Sequence, residues 1–194
     1  MINLAFNKLT QWQQVAFSAA LIERMLPNYI MFAEVESIGD SKVLRNQLDI
    51  IWQWLDKNNR VKINYDAQFI KLEEQTPDPE IIDSFGVFPC IDTCMAILSV
   101  LQTMQDKECE GGENVSRLSE NSVSYYCELE LAQVEEAAEV EESDVSEHPL
   151  MQWEIATQSE LFNFIKDNPE NKKTCQLAKA LVLEEGMSNL GIEI

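Results

Sequence analysis

At 194 residues, 45% of them hydrophobic and including four tryptophans and eight phenylalanines, the chain has enough apolar material for one sizeable core and too much for a disordered protein. Fourteen basic against 34 acidic residues leave a net charge of −20, which repels phosphate backbones and anionic lipid; neither nucleic acid nor a membrane surface is expected as a partner. Residues 106–148 hold 14 of the acids and two of the bases, so the negative charge is concentrated in one region.

In chain order, Thr10 with Gln13 makes a capping box, and Trp12, Val15, Ala16, Ala19 and Ile22 recur at helical spacing, predicting a helix over 10–26. Pro27 suits the first turn of a new helix, which Tyr29, Phe32, Ala33 and Glu36 carry to a stop at Gly39. Asp40 is placed to cap the next helix. Its Leu44, Leu48, Ile51, Trp52 and Leu55 form the clearest amphipathic stripe in the chain, ended by the polar DKNNR. VKINY, 61–65, alternates but has no partner of like pattern, so it is expected to be extended and followed by a helix over 65–75 capped by Asn64 or Asp66.

TPDPEII breaks the helical run, and Pro89 opens a helix over 89–107, with Gly111 and Gly112 ending that neighbourhood. Over 113–138, Val115, Leu118, Tyr125, Leu129 and Ala132 predict the apolar side of a long helix whose other side is acidic. An acidic surface linker is expected at about 138–148. Pro149 starts a helix through 166 with Trp153, Leu161, Phe164 and Ile165 inward. Asn168 or Pro169 begins the last helix, with Cys175, Ala178, Leu181 and Val182 in register, Gly186 after it, and a tail, MSNLGIEI, apolar enough to dock. The expected fold is all-α: an irregular bundle of about seven or eight helices in a single compact domain.

The start MINLAFNKLTQWQQ lacks the basic, apolar and small-residue pattern of a signal peptide. The uncharged run 93–105 falls short of the roughly 20 residues a bilayer span needs. Five cysteines, an odd number with no close-set framework, fit reduced thiols in a cytosol. A cytoplasmic protein is expected.

SFGVFPCIDTC, 84–94, raises the question of a site, because C-x-D-x-C sets a carboxylate between two thiols. At about 100° per residue, Cys94 lies roughly 40° from Cys90 and Asp92 roughly 200° away. Cys90, Cys94, Ile97, Leu101 and Met104 therefore share a face as core lining, and Asp92 faces away with Ala96, Ser99 and Thr103, small groups that permit close approach of another helix. Zinc would need two further ligands, and the one histidine, His148, lies in the acidic stretch; no metal and no cofactor are expected.

Glu23 and Arg24 are the only charged residues between Lys8 and Glu34. Adjacent on a helix, they point about 100° apart, so each needs its own partner if buried, and Asp92, Asp66 and Asp49 are the natural candidates for Arg24. Glu23, Arg24, Asp66 and Asp92 form the candidate binding set or buried polar network. Glu139 and Glu142 make an E-x-x-E pair that could face Mg²⁺, although dense glutamate reads first as a solvated face. No Gly-rich phosphate loop, G-x-S-x-G elbow, H-E-x-x-H or E-x-x-H occurs, so no catalytic residue is assigned.

The blocks QWQQVAFSAALIERMLPNYIMF, LRNQLDIIWQWL, INYDAQFIKLEE, FGVFPCIDTC and SNLGIEI resemble the YjaG-like bacterial family of unknown function, DUF416. The resemblance implies an all-helical cytoplasmic protein and no established activity. In the fourth block Pro89, Asp92 and Cys94 match it, while Phe85, Phe88 and Cys90 stand where tyrosines and an alanine are expected. The leading expectation is a non-enzymatic helical interaction or regulatory protein, a self-associating homo-oligomer with a protein partner at the acidic face around 128–148. The alternatives are a small-molecule or metal-dependent enzyme using Glu23, Asp66 and Asp92 with Arg24 as an anion contact, and a redox-responsive protein using the five cysteines.

Overall fold

The capping box that opens the first helix forms as its spacing predicts: Thr10 Oγ1 accepts from the Gln13 amide at 3.2 Å, and Gln13 Oε1 accepts from the Thr10 amide at 3.0 Å. The computed structural model describes residues 2–58, 62–134 and 141–194. Among them, a 3-10 turn at Phe6–Lys8 precedes eight helices: α1 Gln11–Glu36, α2 Ser41–Leu55, α3 Tyr65–Glu73, α4 Val87–Gln105, α5 Gly111–Val134, α6 Glu142–Glu147, α7 Pro149–Asp167 and α8 Lys172–Val182. No strand forms among the described residues beyond one bridge between Met187 and Glu193. The fold is an all-α bundle built around α1, which packs against α4, α2, α5 and α8.

The chain does not restart at Pro27. α1 runs through it as one helix of 26 residues, although proline removes the N–H that would reach the Glu23 carbonyl. Burial on all sides explains the continuity: Ala16 to Leu26 are almost wholly enclosed, so packing outweighs the roughly 3 kcal/mol that an interior proline costs. The C-terminal tail also supports this stretch, with the Asn189 amide donating to the Arg24 carbonyl at 3.2 Å. The helix ends at Ser37, in the left-handed conformation at φ 56°, two residues before Gly39.

α2 buries Leu44, Leu48, Ile51 and Leu55 as expected, and Asp40 caps it by accepting from the Lys42 amide at 2.9 Å. Asn64 is the cap of α3, accepting from the Ala67 amide at 3.2 Å. Residues 62–64 form no regular element, while Asn59, Arg60 and Val61, at the end of DKNNR and the start of VKINY, lie outside the described residues.

α4 begins two residues before Pro89, where Gly86 lies against the Phe32 ring so closely that a Cβ would collide with it. By length and composition α4 is apolar enough to cross a membrane; 67% of its apolar window is buried inside this fold, where it serves as a core helix. Gly111 and Gly112 begin α5 instead of ending a neighbourhood; a side chain at Gly111 would strike Thr103 Oγ1 and one at Gly112 the Phe6 ring, so both positions require glycine.

The expected apolar side of α5 is right for Val115 and for Leu118, which packs half-buried against the core, and wrong from Tyr125 on. Tyr125 is 52% and Leu129 39% exposed, Ala132 is exposed too, and the buried side carries Ser116, Ser119, Ser122, Val123 and Cys127. Of the stretch expected as an acidic linker, Glu142–Glu147 forms α6, whereas 138–140 lie outside the described residues, as do 135–138 of the expected long helix. α7 starts at Pro149 with His148 Nδ1 accepting from the Leu150 amide at 3.2 Å, and α8 is capped by Asn171 rather than by Asn168 or Pro169. The tail docks, but through the fully buried Ser188 and Asn189; Met187 and Ile194 are exposed.

Candidate functional site

Of the four candidate residues, Glu23 and Arg24 are buried on α1 and point apart, as adjacency on a helix requires. The expected partners of Arg24 are not the real ones. Its Nη1 donates to Glu154 Oε2 on α7 at 2.6 Å with both side chains fully buried, while Asp49 pairs with Arg45 and Asp66 is exposed. The Trp153 ring covers the guanidinium at 4.1 Å. Glu154 Oε1 accepts from Ser119 Oγ at 2.5 Å and Gln158 Nε2 at 2.7 Å. Asn189 donates to Ser119 Oγ at 3.1 Å and accepts from Asn28 at 2.7 Å, which ties the tail into the same network. A buried ion pair needs such additional hydrogen bonds to offset its desolvation.

Sequence reasoning missed Glu154, yet a signal was present. Met151, Glu154, Gln158, Leu161 and Ile165 follow core spacing on α7, so a glutamate and a glutamine stand at inward positions and require buried partners.

Glu23 belongs to a second cluster. Arg45 donates to both its oxygens at 2.7 and 2.9 Å, and Trp52 Nε1 and Lys179 Nζ each donate to Oε1 at 2.7 Å. Burial pushes the Glu23 carboxyl up, and the hydrogen bonds and charges of Arg45 and Lys179 overcome it, leaving the group below the usual glutamate range.

Asp92 lies on the seam between α4 and α5, facing away from the thiols as the helical angles predict. Ser122 Oγ donates to Asp92 Oδ2 at 2.7 Å. Burial raises the Asp92 carboxyl to about 6, with the Ser122 hydrogen bond working in the opposite direction. Cys90 and Cys94 are core groups: burial pushes both thiols up, that of Cys94 to about 12. Among the described residues, no hydrogen bond or ion pair joins any two of Glu23, Arg24, Asp66 and Asp92. Of the E-x-x-E pair, Glu139 and the side chain of Glu142 lie outside the described residues.

The α4–α5 seam opens outward one turn from Asp92. Three pairs fix the helices antiparallel: Phe88 with Tyr125, Asp92 with Ser122, and Thr103 with Gly111. The Phe88 and Tyr125 rings sit 6.1 Å apart, as do those of Phe85 and Tyr126. Phe85, Phe88, Tyr125, Glu128 and Leu129 line a groove of about 370 Å³, in which Phe88 is 47% exposed. Phe88 and Asp92 are one turn apart on α4, and Ser122 and Tyr125 one turn apart on α5. The groove is therefore largely apolar, with Glu128 in its lining and Asp92, one turn along α4, outside it.

The chain matches the family model described as "Protein of unknown function (DUF416)" over residues 1–193. It is 34% identical over 194 residues to the "Uncharacterized protein YjaG" of Escherichia coli (strain K12), covering 98% of this chain and 95% of that protein. An "Uncharacterized protein" of Haemophilus influenzae is 33% identical over 197 residues, covering 99% of this chain and 96% of that protein. The crystal structure of a DUF416 family protein from Shewanella baltica OS155 is similar with a TM-score of 0.86 at 33% identity, covering 99% of this chain and 100% of that one.

Proposed function

We propose a non-catalytic docking function for this chain, which belongs to the DUF416 family: the groove between the start of α4 and the second half of α5 receives a basic amphipathic segment of another protein. The observation that carries the reading is the contiguous apolar surface of Phe85, Phe88, Tyr125 and Leu129, left open beside Glu128. Exposed apolar residues scattered singly need no explanation, but a lined groove with polar groups at its edge is the usual form of a helix-binding surface. Apolar anchors of the partner would fill it, and a lysine or arginine would meet Glu128.

Charge selects the occupant. A second copy would bring another −20 to a groove whose lining already carries Glu128, whereas a basic segment is drawn in.

The test is calorimetric titration with a peptide of leucine and lysine at helical spacing, beside a scrambled peptide of the same composition. The reading expects saturable binding of the first, weakened by salt and by about tenfold in Phe88→Ser or Tyr125→Ser. Equal binding of both peptides, or of parent and variants, overturns it. Sedimentation showing a dimer that Tyr125→Ser dissociates also overturns it, in favour of a second copy.

A further inference from the structure

Between α2 and α8 lies an open pocket of about 350 Å³ lined by Trp52, Gln53, Lys172, Cys175, Gln176 and Lys179, with Asp56 at its edge. The volume lies within the range of small-molecule sites. What distinguishes this pocket from a surface dimple is the carboxylate behind it. Glu23, only 6% exposed, holds Trp52 through its indole N–H and Lys179 through its ammonium, each at 2.7 Å on the same oxygen. Arg45 grips Glu23 with two further hydrogen bonds. One wall residue that offers an apolar ring and another that offers a cation are therefore oriented by one buried anchor before any ligand arrives.

The chemistry of the lining defines the ligand. The only polar atom of Trp52 is committed to Glu23, so what it gives the pocket is apolar ring surface. The side-chain amides of Gln53 and Gln176 enter no protein hydrogen bond among the described residues and are free to donate and accept. Lys172 is 67% exposed and holds Asp56 at 3.3 Å, a loose contact that leaves its ammonium able to turn inward. Among the lining side chains Lys172 and Lys179 stand against Asp56, while behind them Arg45 is shared between Glu23 and Asp49. Two lining ammoniums against one lining carboxylate suit a monoanion and are too few for a nucleotide's phosphates. The Cys175 thiol is pushed up to about 11 by burial, so it is wall and not nucleophile at neutral pH, and binding is non-covalent.

We propose that this α2–α8 pocket binds a small planar aromatic monocarboxylate, its ring against Trp52 and its carboxylate between Lys172 and Lys179. Glu23 is the positioning residue. The site is separate from the α4–α5 groove and does not depend on the docking reading.

The experiment titrates the full chain with 2-naphthoate and with its neutral amide, 2-naphthamide, by calorimetry. Saturable binding of naphthoate is expected at submillimolar concentration. Lys179→Met and Gln176→Glu are expected to weaken naphthoate about tenfold or more and to leave naphthamide unchanged, while Trp52→Leu weakens both. Gln176→Glu is an exposed change on a helix surface and tests the charge requirement should Trp52→Leu fail to fold. Tyr125→Ser, in the α4–α5 groove, leaves naphthoate binding unchanged. Absence of saturable naphthoate binding, indifference to both Lys179→Met and Gln176→Glu, or equal weakening by Tyr125→Ser overturns the proposal.

Discussion

Arg24 and Glu154, 130 positions apart, meet at 2.6 Å with neither side chain reaching solvent, and the Trp153 ring lies across the guanidinium. This pair fastens α1 to α7. Removing one member leaves the other charge buried without compensation, a loss that outweighs the original attraction in water-exposed terms. Arg24→Met and Glu154→Gln are each expected to lower unfolding stability by about 3–5 kcal/mol, and the double variant by less than their sum. Urea unfolding of the four proteins measures this; additive losses would show that the two residues act independently.

Asp92 sets a pH dependence whose sign follows from its burial. Its folded-state value of about 6 exceeds that of an unfolded aspartate, so the folded state holds a proton that the unfolded state has released. Stability from this group is therefore lost as pH rises from about 4 to about 6 and stays lost above. Asp92→Asn, which can still accept from Ser122, is expected to exceed the parent by about 1–2 kcal/mol at pH 7, with the difference vanishing below about pH 4. Unfolding curves across that range check it; a difference independent of pH contradicts it.

Glu23 works in the reverse sense. Its carboxyl lies below the ordinary glutamate range because Arg45 and Lys179 overcome its burial, so its contribution is complete above that range and fades as pH falls through the lowered value. Glu23→Gln is expected to cost about 2–4 kcal/mol at pH 7 and progressively less in acid. A cost that persists undiminished at low pH would assign Glu23 a packing role alone.

The thiols separate by burial. Cys90, Cys94, Cys127 and Cys175 are enclosed, and Cys109 is partly exposed. Titration of the native protein with an aromatic disulfide reagent is expected to label Cys109 promptly and the other four only after denaturation. Rapid native labelling of Cys90 or Cys94 would revive the redox reading of C-x-D-x-C.

Helical periodicity and caps made most of the architecture legible. The stripe from Leu44 to Leu55, the Thr10–Gln13 box and the Asp40 and Asn64 caps all lie where local spacing puts them. Pro27 looks like a boundary because a local rule cannot see that the stretch of helix before it is packed on all sides. The inward face of α5 escapes periodicity because it is built from Ser116, Ser119 and Ser122, polar residues that count as surface until their partners on α4 and α7 are known. In the candidate set, the angular argument isolated Asp92 from the thiols correctly. The partners of Glu23 and Arg24 lie 22 to 156 positions away, a separation that no local pattern encodes.

The docking reading is tested most directly by following backbone amide resonances of the ¹⁵N-labelled protein while the leucine and lysine peptide is added. The account predicts that shifts concentrate at 85–92 and 122–130, around Phe88, Asp92, Ser122 and Tyr125, and are lost in the Phe88→Ser protein. That exposed substitution is expected to change stability by no more than about 1 kcal/mol. Shifts spread over the acidic surface without focus on that seam, or unchanged in Phe88→Ser, would contradict it.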